Sequence, residues 1–146
     1  MPLLDRIRRG TYVPDGDPPL VAPGRSTSAA EAASRILAGE DVLAAVRDLL
    51  GQAGRATAAE LGGMISARPE PLGRPEVDAL LAGIAEHLAT THELPVPEWT
   101  QEPERFLDRF WFVSHEPGFR AAALAQTPVA LKRRGIFWPS RSLSRV

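Results

Sequence analysis

The sequence predicts an all-α fold, a compact bundle of six to eight short helices behind a disordered N-terminal leader. Three observations carry this expectation. From Val42 onward, apolar residues recur at the three- and four-residue spacing of a helix face. Helix start signals stand before these runs at Ser28, Asp41, Thr57 and Pro75. No segment keeps the strict alternation of an exposed sheet, although Trp111-Phe-Val113 suits a short strand.

The 146 residues are enough for one domain with a working core, which we place at residues 28–146. Residues 1–25 carry five prolines and three glycines without a sustained period, so residues 1–27 are expected to be a flexible leader. Leu3, Leu4, Ile7 and Tyr12 would be its anchors if it ordered on a partner. Ser28-Ala-Ala-Glu31 fits a capping box, in which side chains satisfy the orphan backbone donors of a helix start, and Gly39 ends that helix. Asp41 caps a second helix to about Leu50, with Val42, Leu43, Val46, Leu49 and Leu50 on one face and Gly51 and Gly54 as stops. Thr57-Ala-Ala-Glu60 is a second capping box, opening a helix with Leu61, Met64 and Ile65 on one side, which Pro69, Pro71 and Gly73 break. The clearest helix runs from about Pro75 to Ala89. Pro75 suits the first turn, and Val77, Leu80, Leu81, Ile84 and Leu88 form its stripe.

Beyond it, Leu94-Pro-Val-Pro97 must be extended, because each proline restricts its predecessor and supplies no donor. A helix from about Pro103 is expected to turn Phe106, Leu107, Phe110 and Trp111 into the core. Pro117 and Pro128 take first-turn positions in two more, the latter capped by Thr127, and Gly135 ends the Lys132-Arg133-Arg134 helix.

All three tryptophans and all five phenylalanines fall between Trp99 and Trp138, and the charge is equally polarised. Residues 117–146 hold six basic and no acidic residues, against eleven basic and eighteen acidic in residues 1–116. This asymmetry favours a binding protein over a self-contained enzyme. Sixteen of the seventeen basic residues are arginines, a bias that looks like GC-rich codon supply. Zero cysteines exclude disulfides and thiolate metal sites. The start of the chain lacks the apolar stretch of a signal peptide, and no apolar run approaches bilayer length, so the cytoplasm is the expected compartment.

Catalytic patterns are scarce. There is no G-x-S-x-G, no phosphate-binding glycine loop and no H-E-x-x-H, and neither cofactor nor metal is expected. Ser114-His-Glu116 holds triad residue types, but consecutive side chains diverge, so it is expected to be a turn before Pro117. His87 and His92 are five apart and do not share a helix face; they are expected to be solvated. Glu104 and Asp108, with Arg105 and Arg109, form a charged outer face laced by Glu102–Arg105 and Arg105–Asp108 pairs, with an acid–base carboxylate site as the alternative. Phe106, Phe110 and Trp111 are expected in the core.

Lys132, Arg133, Arg134 and Arg141 are the strongest charged feature. Clustered guanidiniums suit an acidic protein surface, nucleic-acid phosphate, or simply a solvated terminus. A pI of about 6.3 and the lack of a convincing helix-turn-helix weigh against direct DNA binding. Trp138 either closes the core or anchors a partner.

The C-terminal words Pro97-Glu-Trp99, Pro103-Glu-Arg-Phe-Leu-Asp108, Trp111-Phe-Val-Ser114, Thr127-Pro-Val-Ala-Leu-Lys-Arg-Arg-Gly-Ile-Phe137 and Leu143-Ser-Arg-Val146 resemble a helical domain of actinobacterial proteins. Members of that group are commonly treated as antitoxins paired with abortive-infection-type nucleotidyltransferase toxins, and often carry an N-terminal helix-turn-helix. The resemblance covers residues 76–146; here residues 1–27 cannot hold a helix-turn-helix and residues 28–75 show no clear recognition helix. It implies a non-enzymatic, antitoxin-like module that neutralises a protein partner, and brings no catalytic residues. The partner-binding residues expected from the charge pattern are Lys132, Arg133, Arg134, Arg141 and Trp138. The alternatives are a DNA-binding regulator using the basic C-terminus, and an enzyme with an unrecognised carboxylate site.

Overall fold

The computed structural model describes residues 28–143, with only the backbone of Ser142. The leader expected over residues 1–27 lies outside these residues, as do residues 144–146. Seven α-helices, two 3-10 turns and a two-residue parallel bridge make up the described elements, so the chain is all-α in class.

The first helices start and stop as their caps dictate. Helix α1 (Ala29–Leu37) opens where the Ser28 hydroxyl accepts the Glu31 N–H at 3.0 Å, and ends at Gly39 with φ +113°. Helix α2 (Val42–Ala53) is capped by Asp41, whose carboxylate accepts the Ala44 N–H at 3.0 Å. It runs through Gly51, contrary to expectation, and stops at Gly54. Arg35 bonds to Glu40 and, at 2.9 Å, to Asp48, tying α1 to α2. Helix α3 (Ala58–Ser66) has the complete capping box, Thr57 and Glu60 exchanging bonds of 2.9 and 3.1 Å.

Helix α4 (Pro75–Thr91) is the axis of the bundle. It packs against α1, α2, α3, the 3-10 turns Glu98–Gln101 and Pro103–Arg105, α6 (Val129–Lys132) and β2 (Ile136–Phe137). The expected stripe of large residues is buried, but so are Ala79, Ala82, Gly83, Ala85 and Ala89, so the helix is enclosed nearly all round. These small residues let neighbours approach closely. A Cβ built on Gly83 would lie 2.4 Å from a Leu131 methyl, so any larger residue requires the buried Leu131 side chain to shift where α6 crosses.

After α4, Leu94–Pro97 is extended as the prolines require, and two 3-10 turns follow at Glu98–Gln101 and Pro103–Arg105. The long helix expected from Pro103 does not form. Its single turn ends at Phe106, which is extended, because the Arg105 side chain turns inward while the backbone swings out to meet residues 134–137. Leu107 N–H donates to Arg134 O at 3.0 Å and Trp111 N–H to Gly135 O at 2.7 Å. Strand β1 (Trp111–Phe112) then pairs in parallel with β2 (Ile136–Phe137).

Helix α5 (Phe119–Gln126) starts after Gly118 at φ +80°, two residues past Pro117. Pro128 occupies the cap position of α6 (Val129–Lys132), one residue earlier than expected. Thr127 is no cap: its hydroxyl donates to Ala123 O at 2.6 Å and accepts the Trp138 N–H at 2.9 Å. Gly135, at φ +85°, turns the chain into β2, and α7 (Ser140–Leu143) closes the described chain. Among the described residues, no helix is long and apolar enough to cross a membrane.

Candidate functional site

Helix α6 is a single turn that sorts the basic residues into two groups. With about 100° between successive residues, Ala130, Leu131 and Arg134 face α4 while Val129, Lys132 and Arg133 face solvent. Val129 is 75% exposed.

Arg134 is fully buried. Its guanidinium donates to Glu86 Oε1 at 2.5 Å, Ala130 O at 2.7 Å and Thr100 O at 2.5 Å, and lies 4.6 Å from the centre of the Phe106 ring. The Nε–H is buried without a hydrogen-bond partner among the described residues, a cost that the other donors and the ring face offset. Glu86 projects from α4 and gathers the cluster, accepting also from Arg133 at 2.8 Å and Gln101 at 3.3 Å. Partial burial pushes the Glu86 carboxyl up, but the bond and charge of Arg134, with help from Gln101 and Arg133, hold it below the usual range.

A second buried arginine stands beside this cluster. Arg105 is fully buried, bonds to Glu102 at 3.2 Å, donates to Pro69 O at 2.8 Å and Asp78 O at 3.3 Å, and lies 4.9 Å from the Trp99 ring centre. Arg105 is therefore not part of a solvated outer face, and its carboxylate partner is Glu102, not Asp108. Its guanidinium thus binds one carboxylate and two carbonyls, that of Pro69 in a proline-rich loop and that of Asp78 in the first turn of α4. Glu102 also binds Arg68 at 2.6 Å. Glu104 and Asp108 are exposed and share no helix, so the i,i+4 carboxylate pair imagined for catalysis does not exist as a helical face.

Of the five expected partner-binding residues, three are at the surface. Lys132 is exposed and its ammonium reaches Leu124 O at 3.1 Å. Arg133 keeps 41% of its side chain exposed while holding Glu86, and Arg141 is exposed on α7. Arg134 and Trp138, the latter 2% exposed, lie inside and present nothing to a partner in this conformation.

The structure adds a residue to the surface group. Phe110, expected in the core, is 76% exposed. Its ring packs edge-on to Phe137 with centroids 5.2 Å apart, and Phe137 stacks on Phe112 at 4.8 Å. Arg120 lies 4.1 Å over Phe112. A Cβ on Gly135 would come within 3.8 Å of the Phe110 ring and 3.3 Å of Arg109 O, which brings Phe110 against the end of the basic segment. No periodicity could have placed Phe110 outside, since its position depends on the parallel bridge. Glu86 lies 48 positions from Arg134, so its role as the hub of the cluster could not be read from local spacing.

Ser114-His-Glu116 is the turn that the spacing implied, with Ser114 Oγ accepting the Glu116 N–H at 3.1 Å. It borders a cleft of about 690 Å³ in which exposed Arg47, His115 and Glu116 stand over half-buried Leu43, Val113 and Phe119. His87 is half-buried, and burial lowers its pKa; His92 Nδ1 bonds to Leu88 O at 3.0 Å. No group of three or more histidine or carboxylate side chains suited to a metal ion occurs among the described residues.

Comparison of the chain with family models, curated proteins and solved structures gives no match.

Proposed function

We propose that this protein is a non-catalytic, cytoplasmic binding module whose aromatic and basic C-terminal face docks an acidic surface of a cognate protein. The partner is of the toxin kind that the resemblance of residues 76–146 implies, and docking neutralises it by covering a nucleotide- or RNA-binding cleft. One observation carries the reading: α6 turns Lys132 and Arg133 outward, and exposed Phe110, edge-on to Phe137, stands against the Gly135 turn that ends their segment, in which no acidic side chain follows Glu116. Arginine and lysine on a fixed frame steer an acidic partner, and an exposed aromatic ring supplies apolar contact area.

The test is co-expression with the protein encoded by the adjacent reading frame, followed by co-purification and kinetics of association. Lys132→Glu with Arg133→Gln is expected to slow association at low salt and to leave the fold intact, since no carboxylate is set against Glu86. Arg134 stays unchanged in this variant, because its loss would unfold the site. Unchanged association at low salt would overturn the reading.

A further inference from the structure

The cleft beside the Ser114-His-Glu116 turn is lined by none of Phe110, Lys132 and Arg133, so it stands apart from the docking proposed above. Leu43 and Arg47, one turn apart on α2, share a helix face and both line it. Half-buried Val113 and Phe119 continue its apolar wall, and Trp138 backs it from the core. Its volume of about 690 Å³ falls within the range of small-molecule sites.

Three ionisable side chains enter this space unpaired. Arg47, His115 and Glu116 are exposed, and none of their side chains makes a hydrogen bond or ion pair with another described residue. Arg35, Arg68, Arg105, Arg133 and Arg134, by contrast, each hold a carboxylate. Asp48, next to Arg47 in the chain, is turned to Arg35, which reaches it at 2.9 Å. Arg47 and Glu116 thus face one cleft without pairing across it. Ser114 Oγ accepts the Glu116 N–H at 3.1 Å, which leaves the hydroxyl proton to donate.

We propose that this cleft binds a small carboxylic acid that carries an aromatic or branched apolar body and a hydroxyl or amino group. Arg47, with His115 beside it, receives the carboxylate, since the planar guanidinium fork pairs with both of its oxygens. Leu43, Val113 and Phe119 take the apolar body, and removing that surface from water adds to the attraction. Glu116 accepts from the hydroxyl or amino group. The same carboxylate selects against further negative charge. A phosphate monoester carries nearly two charges at neutral pH and meets Glu116 as a like charge. The ligand class is therefore an apolar hydroxy or amino acid and not a nucleotide.

The inference does not rest on the docking reading, and its test uses the full-length chain alone. L-Phenyllactate and L-phenylalanine are titrated into the nitrogen-labelled protein and followed by proton–nitrogen correlation spectra. Phenyllactate is expected to shift the amides of residues 113–119 and the Arg47 Nε–H, with a Kd on the order of 1 mM. Phenyllactamide, which keeps the ring and hydroxyl but not the charge, is expected to leave them in place up to about 20 mM. Arg47→Gln, at an exposed helix position, is expected to weaken phenyllactate binding about tenfold or more, with the other resonances unchanged. Glu116→Gln is expected to admit phenyl phosphate, which the wild type refuses. The proposal is overturned if both acids leave these resonances unmoved at about 20 mM, or if the amide moves them equally. Arg47→Gln titrating like the wild type also overturns it. So does phenyl phosphate binding the wild type as tightly as phenyllactate, because Glu116 would then select nothing.

Discussion

Glu86 and Arg134, 48 positions apart in the chain, meet at 2.5 Å with the arginine fully buried. This contact joins the axial helix to the segment that carries the surface cations. The buried and the exposed arginine of the Arg133-Arg134 pair share one carboxylate but have different consequences when lost.

Removing Arg134 leaves the Glu86 carboxylate and the Thr100 carbonyl facing a hole. Arg134→Met is expected to destabilise the chain by about 3–5 kcal/mol, whereas Arg133→Met, at the exposed end of the same carboxylate, costs no more than about 1 kcal/mol. Urea unfolding of the two variants, fitted with a common slope, measures the gap. Lysine at 134 does not restore stability, since a single ammonium cannot reach three acceptors spread over α4, α6 and the first 3-10 turn.

The same pair gives the acid response a sign. Glu86 is held below its ordinary pKa in the folded chain, so its contribution is complete above the unfolded value near 4.5 and is lost as pH falls through the folded value. Glu86→Gln removes that contribution. Melting temperatures of the wild type and Glu86→Gln are expected to lie furthest apart near neutrality and to converge below about pH 4.5. A constant separation down to pH 3 would show that Glu86 does not titrate with folding. Glu102, also held low, chiefly by Arg68, adds to the acid limb in both proteins and does not alter the comparison.

Two glycine substitutions are expected to differ in sign. Gly83→Ala places a methyl 2.4 Å from a Leu131 methyl and forces that buried side chain to repack between α4 and α6, at a cost of about 1–3 kcal/mol. Gly62→Ala adds a Cβ in open space inside a helix and is expected to stabilise by roughly 0.5–1 kcal/mol. Thermal melts of both decide it, and a stabilised Gly83→Ala would mean that α6 is not seated where we describe it.

Aromatic truncations separate core from surface. Trp138→Ala is expected to cost about 3–5 kcal/mol, as for other buried large side chains. Phe110→Ala forfeits mainly an edge-on ring contact and is expected to cost about 1 kcal/mol or less. Equal losses, read by chemical denaturation, would place Phe110 in the core after all.

Much of the helical half was legible because its signals are local. Ser28, Asp41, Thr57 and Pro75 start helices by bonding or bracing their own next turn, and an amino-acid string displays such relations directly. Gly51 misled because glycine weakens a helix without forbidding one, and Leu49, Leu50 and Ala53 bury enough surface to carry α2 past it. The candidate site was less legible for the opposite reason. Arg105 and Arg134 look like surface cations until the carbonyls of Pro69, Asp78 and Thr100 are brought to them from 27 to 36 positions away. Phe110 looked like a core residue because its periodicity with Phe106 assumed a helix; a two-residue strand pairing with Ile136–Phe137 overrode it. Lys132, Arg133 and Arg141 do lie at the surface, as a run of cations with no acidic residue near them in the sequence suggests, although Arg133 meets Glu86 from 47 positions away.

The buried arginines also set an order of events. Chain growth from the N-terminus delivers α4 and its Glu86 well before Arg134, so for that interval the carboxylate has no guanidinium and the axial helix keeps an open flank. Closing the loop between them costs chain entropy that only the completed contact returns. The frame that holds Lys132 and Arg133 outward is thus complete only when a contact 48 positions long has closed behind them.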